Sequence, residues 1–599
     1  MLSYDKCKDA SPDKTVNRIK DILKKIDIQT DIEWTEQEYH NAFSNRITLS
    51  PTSLGTNGKG TDIEYALASG YAELIERIEN GTILIGYQSP AIRNSFGFVN
   101  SPDEIMVPIE NLAIQNDPFT SFIFKHYQAY TVDGRIDCLR KLPRLNDDSP
   151  ESLRCIPFSF PAKNEIVFIP TDIMLPIYGS NGMAAGNTME EALVQGICEI
   201  LERYVNKAVI EGTVPPEIPR EYWEQSPVSK FIHDIESTGR YRITLYDCSL
   251  GKNIPATAVV VSDLENGRFG IHFSCHPSFD VSIERTLTEA LQGKTLDVFT
   301  RMNTLGDQQM CSCVDNYPNL MKIGFGAYPL KLFHSKPTYQ FEPRDEWNGL
   351  SNKEMLIKLL QIIKEEGYEV LIRDASHLGF PAYHVLVPGM SEMFFSNGRR
   401  LRELNTLNRV AASMKHFPNL SSDEENRLLL LMRYKEFSAL ENTLGWITTL
   451  PLINSRLSTE RVRAFLHFKR QEFQDAYSWF CNASSKEDSE QEKRYLACAA
   501  EYSRLLSIGA SAEEALLCLG HYYPDHIARK THEILRIPSQ AMEKEFPPFT
   551  CDQCCNCPHA GINCEYPEIE KVMTKIKSAL AKSRVSQITL LKNLKEIAL

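Results

Sequence analysis

A helical segment occurs twice in this chain, and it constrains the fold more than any other feature. The first copy, GKGTDIEYALASGYAELIERI, covers residues 58–78, and the second, AAGNTMEEALVQGICEILERY, covers residues 184–204. When Gly60 is aligned with Gly186, an Ala-Leu pair, an internal glycine and an ExxER motif all fall into register. Such internal similarity indicates one supersecondary unit used twice. Residues 285–292 are a weaker relative of the same pattern.

Each copy places its polar residues on one helix face. Residues at i, i+4 and i+7 share a face, and this spacing relates Ser69, Glu73 and Glu76. The second copy carries Glu191, Gln195, Glu199 and Glu202, and the third stretch carries Arg285, Glu289 and Gln292. Because the opposite faces are apolar, we expect each helix to pack one side on a core and to present acids on the other.

Acidic faces that converge must either protonate or hold cations. Two carboxylates about 4 Å apart repel by roughly 4 kcal/mol at an effective dielectric constant near 20. Mg²⁺ takes oxygen ligands and shares them with substrate phosphates. A single ExxER motif is often only a solvated helix face, but its repetition after a glycine turn favours a shared site.

These motifs resemble the three nucleotide-binding motifs of the YcaO family, over about residues 1–400. They are Ser69-x-x-x-Glu73-x-x-Glu76-Arg77, then Gly186-Asn187-Thr188 with Glu199-x-x-Glu202-Arg203, then Arg285-x-x-x-Glu289-x-x-Gln292. The SNGMAAGNT and VPGMS segments resemble the stand-alone bacterial subgroup. The resemblance implies the YcaO fold, a mixed α+β domain, and a homodimer.

The resemblance also assigns roles to residues. It implies Mg²⁺ ligands at Glu73, Glu76, Glu199 and Glu202, and catalytic roles for Glu76, Glu199, Glu202 and Arg285. It implies contacts to ATP from Lys8, Thr15, Ser69, Glu73, Asn187, Glu191, Arg203, Arg285, Glu289 and Gln292. From the residues themselves, Lys8 and Thr15 are equally well explained as an exposed lysine and a helix cap, and Arg77 and Arg203 as partners that orient the glutamates.

The chemistry that the resemblance implies is ATP-dependent phosphorylation of a peptide amide oxygen. A Cys, Ser or Thr side chain as nucleophile gives an azoline, and sulfide gives a thioamide. The chain ends in KNLKEIAL, without the proline-rich tail of azoline-forming members, and has no recognisable fused peptide-recognition domain. Both departures favour the stand-alone subgroup, whose role is that of an accessory factor for β-methylthiolation of a ribosomal protein.

Three functions therefore compete. The first is an ATP-hydrolysing accessory factor that works with a methylthiotransferase or another partner protein on a small-subunit ribosomal protein. The second is a thioamide- or azoline-forming enzyme, a cyclodehydratase that acts on a ribosomally made peptide. The third is a non-catalytic nucleotide-sensing scaffold.

Composition and net charge limit the binding partners and the cell compartment that we expect. A net charge of −13 argues against nonspecific binding to nucleic acid or to anionic membranes. No apolar run approaches the ~18 residues of a membrane span, and the N-terminus lacks a secretory signal. We therefore expect a cytoplasmic protein with reduced thiols.

The 599 residues predict more than one domain. We expect an ATP-binding domain over residues 1–405 with a lead over 1–45, and a helical domain resembling a tetratricopeptide-like array over 406–545. A cysteine-rich segment and one lysine-rich helix, from about residue 567 to 598, fill residues 546–599. The helical domain either binds a partner or only supports the core.

Five of the sixteen cysteines lie within residues 551–564. Cys551, Cys554 and Cys557 form CxxCxxC, and Cys564 is a fourth candidate thiolate. This spacing suits Zn²⁺, which we favour, or an iron–sulfur cluster. A redox pair and unliganded thiols are the alternatives, and the family resemblance does not imply the cluster.

Overall fold

Strands and helices alternate irregularly along the chain, as the sequence predicts for a mixed α+β protein. The computed structural model describes residues 7–36, 39, 41–84, 101–142, 151–313, 316–393, 419–433, 458–487, 489–546 and 565–597. Within these ranges, no helix combines the length and the hydropathy that a membrane crossing requires.

The described part of residues 1–210 contains a short N-terminal sheet and the two repeated helices. In chain order its elements are α1 (Pro12–Lys25), β1 (Thr30–Trp34), β2 (Phe43–Leu49), β3 (Gly55–Gly60), α2 (Ile63–Glu79), β4 (Ile105–Pro108), α3 (Ile109–Ile114), α4 (Pro118–His126), α5 (Val132–Arg140), β5 (Ser152–Phe160), β6 (Glu165–Pro170), α6 (Thr171–Tyr178), β7 (Met183–Ala185) and α7 (Met189–Ile210).

The next part closes the mixed domain. Its elements are α8 (Arg220–Trp223), α9 (Ser229–Glu236), β8 (Tyr241–Asp247), β9 (Ala256–Asp263), β10 (Arg268–Cys275), α10 (Phe279–Ala290), α11 (Leu296–Phe299), β11 (Asn303–Gly306), α12 (Gln308–Cys311), α13 (Asn316–Ile323), β12 (Gly326–Pro329), α14 (Lys331–His334), α15 (Asn352–Glu365), β13 (Leu371–Asp374) and β14 (Ala382–Leu386). Two short 3₁₀ helices cover Pro161–Lys163 and Asp345–Trp347.

Four sheets hold this domain together. Antiparallel sheets run in the orders β1-β2-β3 and β10-β9-β8, and β11 pairs with β12 in parallel. The largest sheet has six strands in the order β4-β5-β13-β14-β7, with β6 also paired to β5. The antiparallel strands that the alternating sequence predicts between residues 241 and 280 are confirmed as β8, β9 and β10.

The repeat in the sequence is a strand–helix unit in the structure. β3 leads into α2 and β7 into α7, and a Cβ atom at the glycine before each helix would meet the backbone of that helix. At Gly60 it would lie 2.5 Å from the nitrogen of Ala66, and at Gly186 it would lie 2.7 Å from the nitrogen of Ala192. The two glycines therefore occupy equivalent close crossings, which only a residue without a side chain allows.

The remaining described elements are helical. They are α16 (Ser422–Arg433), α17 (Thr459–Lys469), α18 (Phe473–Ser485), α19 (Glu490–Ser507), α20 (Ala512–Leu519), α21 (Asp525–Leu535), α22 (Pro538–Glu545), α23 (Tyr566–Leu580) and α24 (Gln587–Lys595). The buried residues of α17–α22 form one continuous cluster with those of residues 107–178. A helical C-terminal region is thus present, whereas its likeness to tetratricopeptide repeats stays a prediction.

The C-terminal helices pack onto the first domain. Ile576 of α23 is buried against α1 and α2, and Leu594 of α24 joins the core around α7. The sequence predicted one helix here, but the structure has two. Ser583 interrupts the helical pattern because its hydroxyl accepts a hydrogen bond from the nitrogen of Val585 (3.2 Å), and such local bonds compete with helix.

Candidate functional site

A polar cavity of about 410 Å³ lies where the repeated helices meet α10, β10 and the N-terminal segment. The residues that line it include Lys8, Thr15, Ser69, Glu73, Glu76, Asn187, Glu191, Glu199, Glu202, Arg203, Arg285 and Glu289. The structure therefore brings together all the predicted nucleotide and Mg²⁺ residues except Gln292. That residue lies just beyond the end of α10, where its side chain donates to the carbonyl of Asn57 (3.1 Å).

Helix caps fix the three helices at the edge of this cavity. Asp62 caps α2 by accepting from the nitrogen of Tyr65, and Thr188 caps α7 by accepting from the nitrogen of Glu191. Ser278 caps α10 in the same way. Such caps satisfy backbone donors that a helix start leaves free. Asp62 and Thr188 are equivalent positions of the repeat, two residues after the aligned glycines.

In the wall of the cavity, the N-terminal segment is bound to the start of α7. Lys8 Nζ contacts Glu191 Oε1 (3.1 Å), and the backbone nitrogen of Asp9 donates to Glu191 Oε2 (2.9 Å). Thr15 donates to Asn187 Oδ1 (2.9 Å), and the amide of Asn187 donates to the same Glu191 carboxylate. Lys8 and Glu191 are 183 positions apart in the sequence. The N-terminal segment and the start of α7 thus form one network around the buried Glu191 carboxylate.

In the middle of the cavity, the acids of α2 and α7 converge. Arg77 contacts Glu73 (3.3 Å) and Glu76 (3.8 Å), and Arg203 pairs with Glu199. The two arginines therefore orient the glutamates in both copies of the repeat. This arrangement agrees with the structural role that the sequence left open for them.

Burial and like charges hold two of these acids partly protonated. Burial, followed by the charges of Glu73 and Glu199, raises the pKa of Glu76 to about 8 despite the nearby arginines. Burial and Glu199 raise the pKa of Glu202 to about 7. A cation among these carboxylates would remove the repulsion, so the donor set fits Mg²⁺ with Glu73, Glu76, Glu199 and Glu202 as ligands.

Basic residues from β3 and α10 lie close to the acids of α2 and α7. Lys59 pairs with Glu289, and burial lowers the pKa of Lys59 to about 8, although Glu73 and Glu202 act in the opposite direction. Arg285 lines the same region. Cationic side chains beside a metal site stabilise the negative charge of a terminal phosphate.

The cavity lining also contains residues that the sequence did not single out, among them Lys59, His272 and Glu284. Lys59 was visible only as part of a glycine turn, and His272 lay in an ordinary alternating strand. Glu284 precedes Arg285, and burial raises its pKa to about 8. None of the three belongs to the i, i+4, i+7 pattern of acids, so only their placement around the cavity identifies them.

The cysteine cluster lies outside the described residues. Cys551, Cys554, Cys557 and Cys564 therefore remain a prediction for Zn²⁺ or an iron–sulfur cluster.

Comparison with known proteins identifies the class to which this fold and site belong. The family described as YcaO cyclodehydratase, ATP- and Mg²⁺-binding, matches residues 57–391, more than half of the chain. The chain belongs to the YcaO family. The span that matches contains the two repeated helices and α10.

Two relatives are similar over most of their length. The ribosomal protein S12 methylthiotransferase accessory factor YcaO of Escherichia coli (strain K12) is 29% identical over 454 residues, which cover 74% of this chain and 76% of that protein. An uncharacterized protein of Haemophilus influenzae is 30% identical over 446 residues, which cover 71% and 73%.

Two solved structures are similar to part of the chain. A heterocyclase in complex with substrate and cofactor is 18% identical, with a TM-score of 0.45, and the match covers 64% of this chain and 53% of that one. YcaO from Methanopyrus kandleri bound with AMPPCP and Mg²⁺ is 17% identical, with a TM-score of 0.38 and coverage of 65% and 94%.

Proposed function

We propose that this protein binds Mg²⁺ and ATP in the cavity and uses ATP to phosphorylate the backbone amide oxygen of a peptide. The observation that carries the proposal is the convergence of two ExxER helices on one cavity. Two of their glutamates have pKa values near neutrality, because burial and their neighbours oppose their ionisation. A bound cation would explain why the fold brings these carboxylates together, because it would offset their mutual repulsion.

The chain's own residues divide the work along the cavity. The network around Glu191, Asn187 and Lys8 would hold the nucleoside, and the four glutamates would hold Mg²⁺, which offsets phosphate charge when bound. Lys59 and Arg285 would stabilise the charge of the transferring phosphoryl group. Fixed positioning of this kind supplies most of the catalysis in phosphoryl transfer.

For the acceptor, we propose a small-subunit ribosomal protein, with this chain as an accessory factor for its β-methylthiolation. The name of the Escherichia coli relative supports this acceptor. A partner methylthiotransferase and a homodimer belong to the same proposal. Formation of a thioamide or azoline on another peptide is the alternative, and the description of the family supports it.

Measurements of phosphate release and of product mass test the proposed function. Purified protein is incubated with Mg-ATP alone, with ribosomal protein S12, and with S12 plus a methylthiotransferase, and the masses of the products are measured. We expect S12 to stimulate phosphate release severalfold. Stimulation together with a loss of water from S12 would favour the cyclodehydratase alternative. ATP binding without turnover in every mixture would leave a nucleotide-sensing scaffold.

A further inference from the structure

A histidine lies in the wall of the cavity outside the three motifs. His272 is on β10, between Ile271 and Phe273, which are both buried in the core that packs on α7. Successive strand residues point to opposite faces, so the strand turns His272 away from that core. The cavity lining reaches it, together with Lys59 and Glu289.

The imidazole of His272 is not held by a polar contact to the described part of the protein. Within the described residues, no hydrogen bond or ion pair engages its side chain, whereas the neighbouring His276 accepts from the backbone nitrogen of Ser278 (3.0 Å). Buried polar groups normally have a partner. A half-buried imidazole that lines a polar cavity without a protein partner is therefore available to a ligand.

The charged groups around His272 keep the imidazole neutral. Burial, then the charges of Lys59 and Lys294, lower the pKa of His272 to about 3. Glu289, which pairs with Lys59, is the acid on the same side. The phosphates of a bound nucleotide would offset the two lysines and raise this pKa toward the range in which an imidazole is an effective base.

We propose that His272 is the acid–base residue beside Lys59 in the cavity and takes the proton from the group that attacks the acceptor carbonyl. This inference rests on the proposed function. Four glutamates of the cavity are assigned to Mg²⁺, Lys59 and Arg285 are cations, and Glu284 lies on α10 next to Arg285. His272 is the nitrogen base that remains beside them.

The step is balanced without a further reagent. His272 removes the proton from a thiol, a hydroxyl or hydrogen sulfide, and the bond between this nucleophile and the carbonyl carbon forms. The carbonyl electron pair moves to oxygen, which attacks the terminal phosphorus of ATP and displaces ADP. When the C–O bond breaks, phosphate leaves with the bonding pair, and a lone pair on the amide nitrogen forms C=N, or, after attack by hydrogen sulfide, a lone pair on sulfur forms C=S. The departing phosphate takes the proton released from that N–H or S–H, and the imidazolium returns its own proton to solvent.

Two variants test the proposal in the full chain. His272→Asn keeps a polar side chain but removes the base, and Lys294→Gln removes one positive charge near the imidazole. For each variant, Mg-ATP affinity is measured by isothermal titration. Phosphate release is then followed from pH 5.5 to 9, with and without ribosomal protein S12.

We expect His272→Asn to bind Mg-ATP within about threefold of wild type and to release phosphate at least 100-fold more slowly, which is the usual scale of general acid–base catalysis. The wild-type rate should fall toward low pH, and this acid limb should be absent in the variant. Lys294→Gln should move the acid limb to higher pH, because the loss of a nearby positive charge makes His272 easier to protonate. The second variant keeps the test valid should the first fail to fold.

Other results overturn the inference in distinguishable ways. An unchanged rate in His272→Asn, or an unmoved acid limb in Lys294→Gln, would exclude this role and leave the proposed function intact. Wild-type protein that binds Mg-ATP and releases no phosphate would also exclude it. Wild-type protein that fails to bind Mg-ATP would instead remove the proposed function, and the inference with it.

Discussion

Replacing Glu76 by Gln separates the function of the acidic cavity from the stability of the fold. The folded protein holds this carboxyl at a pKa of about 8, against 4.5 for an ordinary glutamate. Between these values the folded state binds more protons than the unfolded state, so stability falls as pH rises through this window. Glu76→Gln removes that penalty, because glutamine stays neutral at every pH.

The size of the effect follows from the pKa. One pKa unit corresponds to about 1.4 kcal/mol, so about 3 units between pH 5 and pH 8 correspond to roughly 4 kcal/mol. Without nucleotide or Mg²⁺, the variant should therefore gain up to about 4 kcal/mol in stability relative to wild type across this range. Its Mg-dependent ATP affinity should fall at least 100-fold, since a metal ligand has been removed.

The assay is urea denaturation in EDTA at pH 5 and at pH 8, followed by titration of Mg-ATP at pH 8. Glu64→Gln is the matched control, because Glu64 is an exposed acid on the first turn of the same helix. The control should change neither quantity. A Glu76 variant that is destabilised at pH 8, or that binds Mg-ATP as wild type does, would refute the converging-carboxylate account.

Three further predictions address other parts of the molecule. Gly186→Ala should destabilise the fold by more than about 1 kcal/mol because its Cβ would meet the helix backbone, whereas Gly520→Ala, where the nearest atoms lie 3.5 Å away, should be nearly neutral; denaturation midpoints compare them. Glu191→Gln should weaken ATP binding about 10-fold while its dependence on Mg²⁺ persists, since this carboxylate holds Lys8 rather than the metal, and a titration with and without Mg²⁺ would show a lost dependence if this is incorrect. Elemental analysis should find about one metal per chain, absent after substitution of Cys554 and Cys557, and wild-type protein without metal would end that hypothesis.

Most of the candidate site could be predicted because its residues are repeated. Each helix and its acidic face depend on local spacing, which is the same in both copies, whereas residues 58–60 were expected as a glycine turn and lie in β3. Local pattern also predicts a helix over residues 353–366, and the structure has α15 over Asn352–Glu365. Periodic apolar residues and a Ser351 cap are local signals as well.

The rest of the site depends on contacts between residues that are distant in sequence. Lys8, which only the family resemblance assigned to the site, meets Glu191 across 183 positions, and His272 lines the cavity with Lys59 from another sheet. No local sequence pattern predicts such long-range contacts. The packing of Ile576 and Leu594 on the first domain was missed for the same reason, since the sequence shows that these helices are amphipathic but not what they cover.

Isothermal titration of ATP into the purified protein, with and without Mg²⁺, tests the central claim most directly. We predict binding that is at least 10-fold tighter with Mg²⁺, because the cation relieves the repulsion among the glutamates of α2 and α7. Equal affinity in the presence and absence of Mg²⁺, or no binding in either, would contradict the assignment of this cavity as a Mg-ATP site.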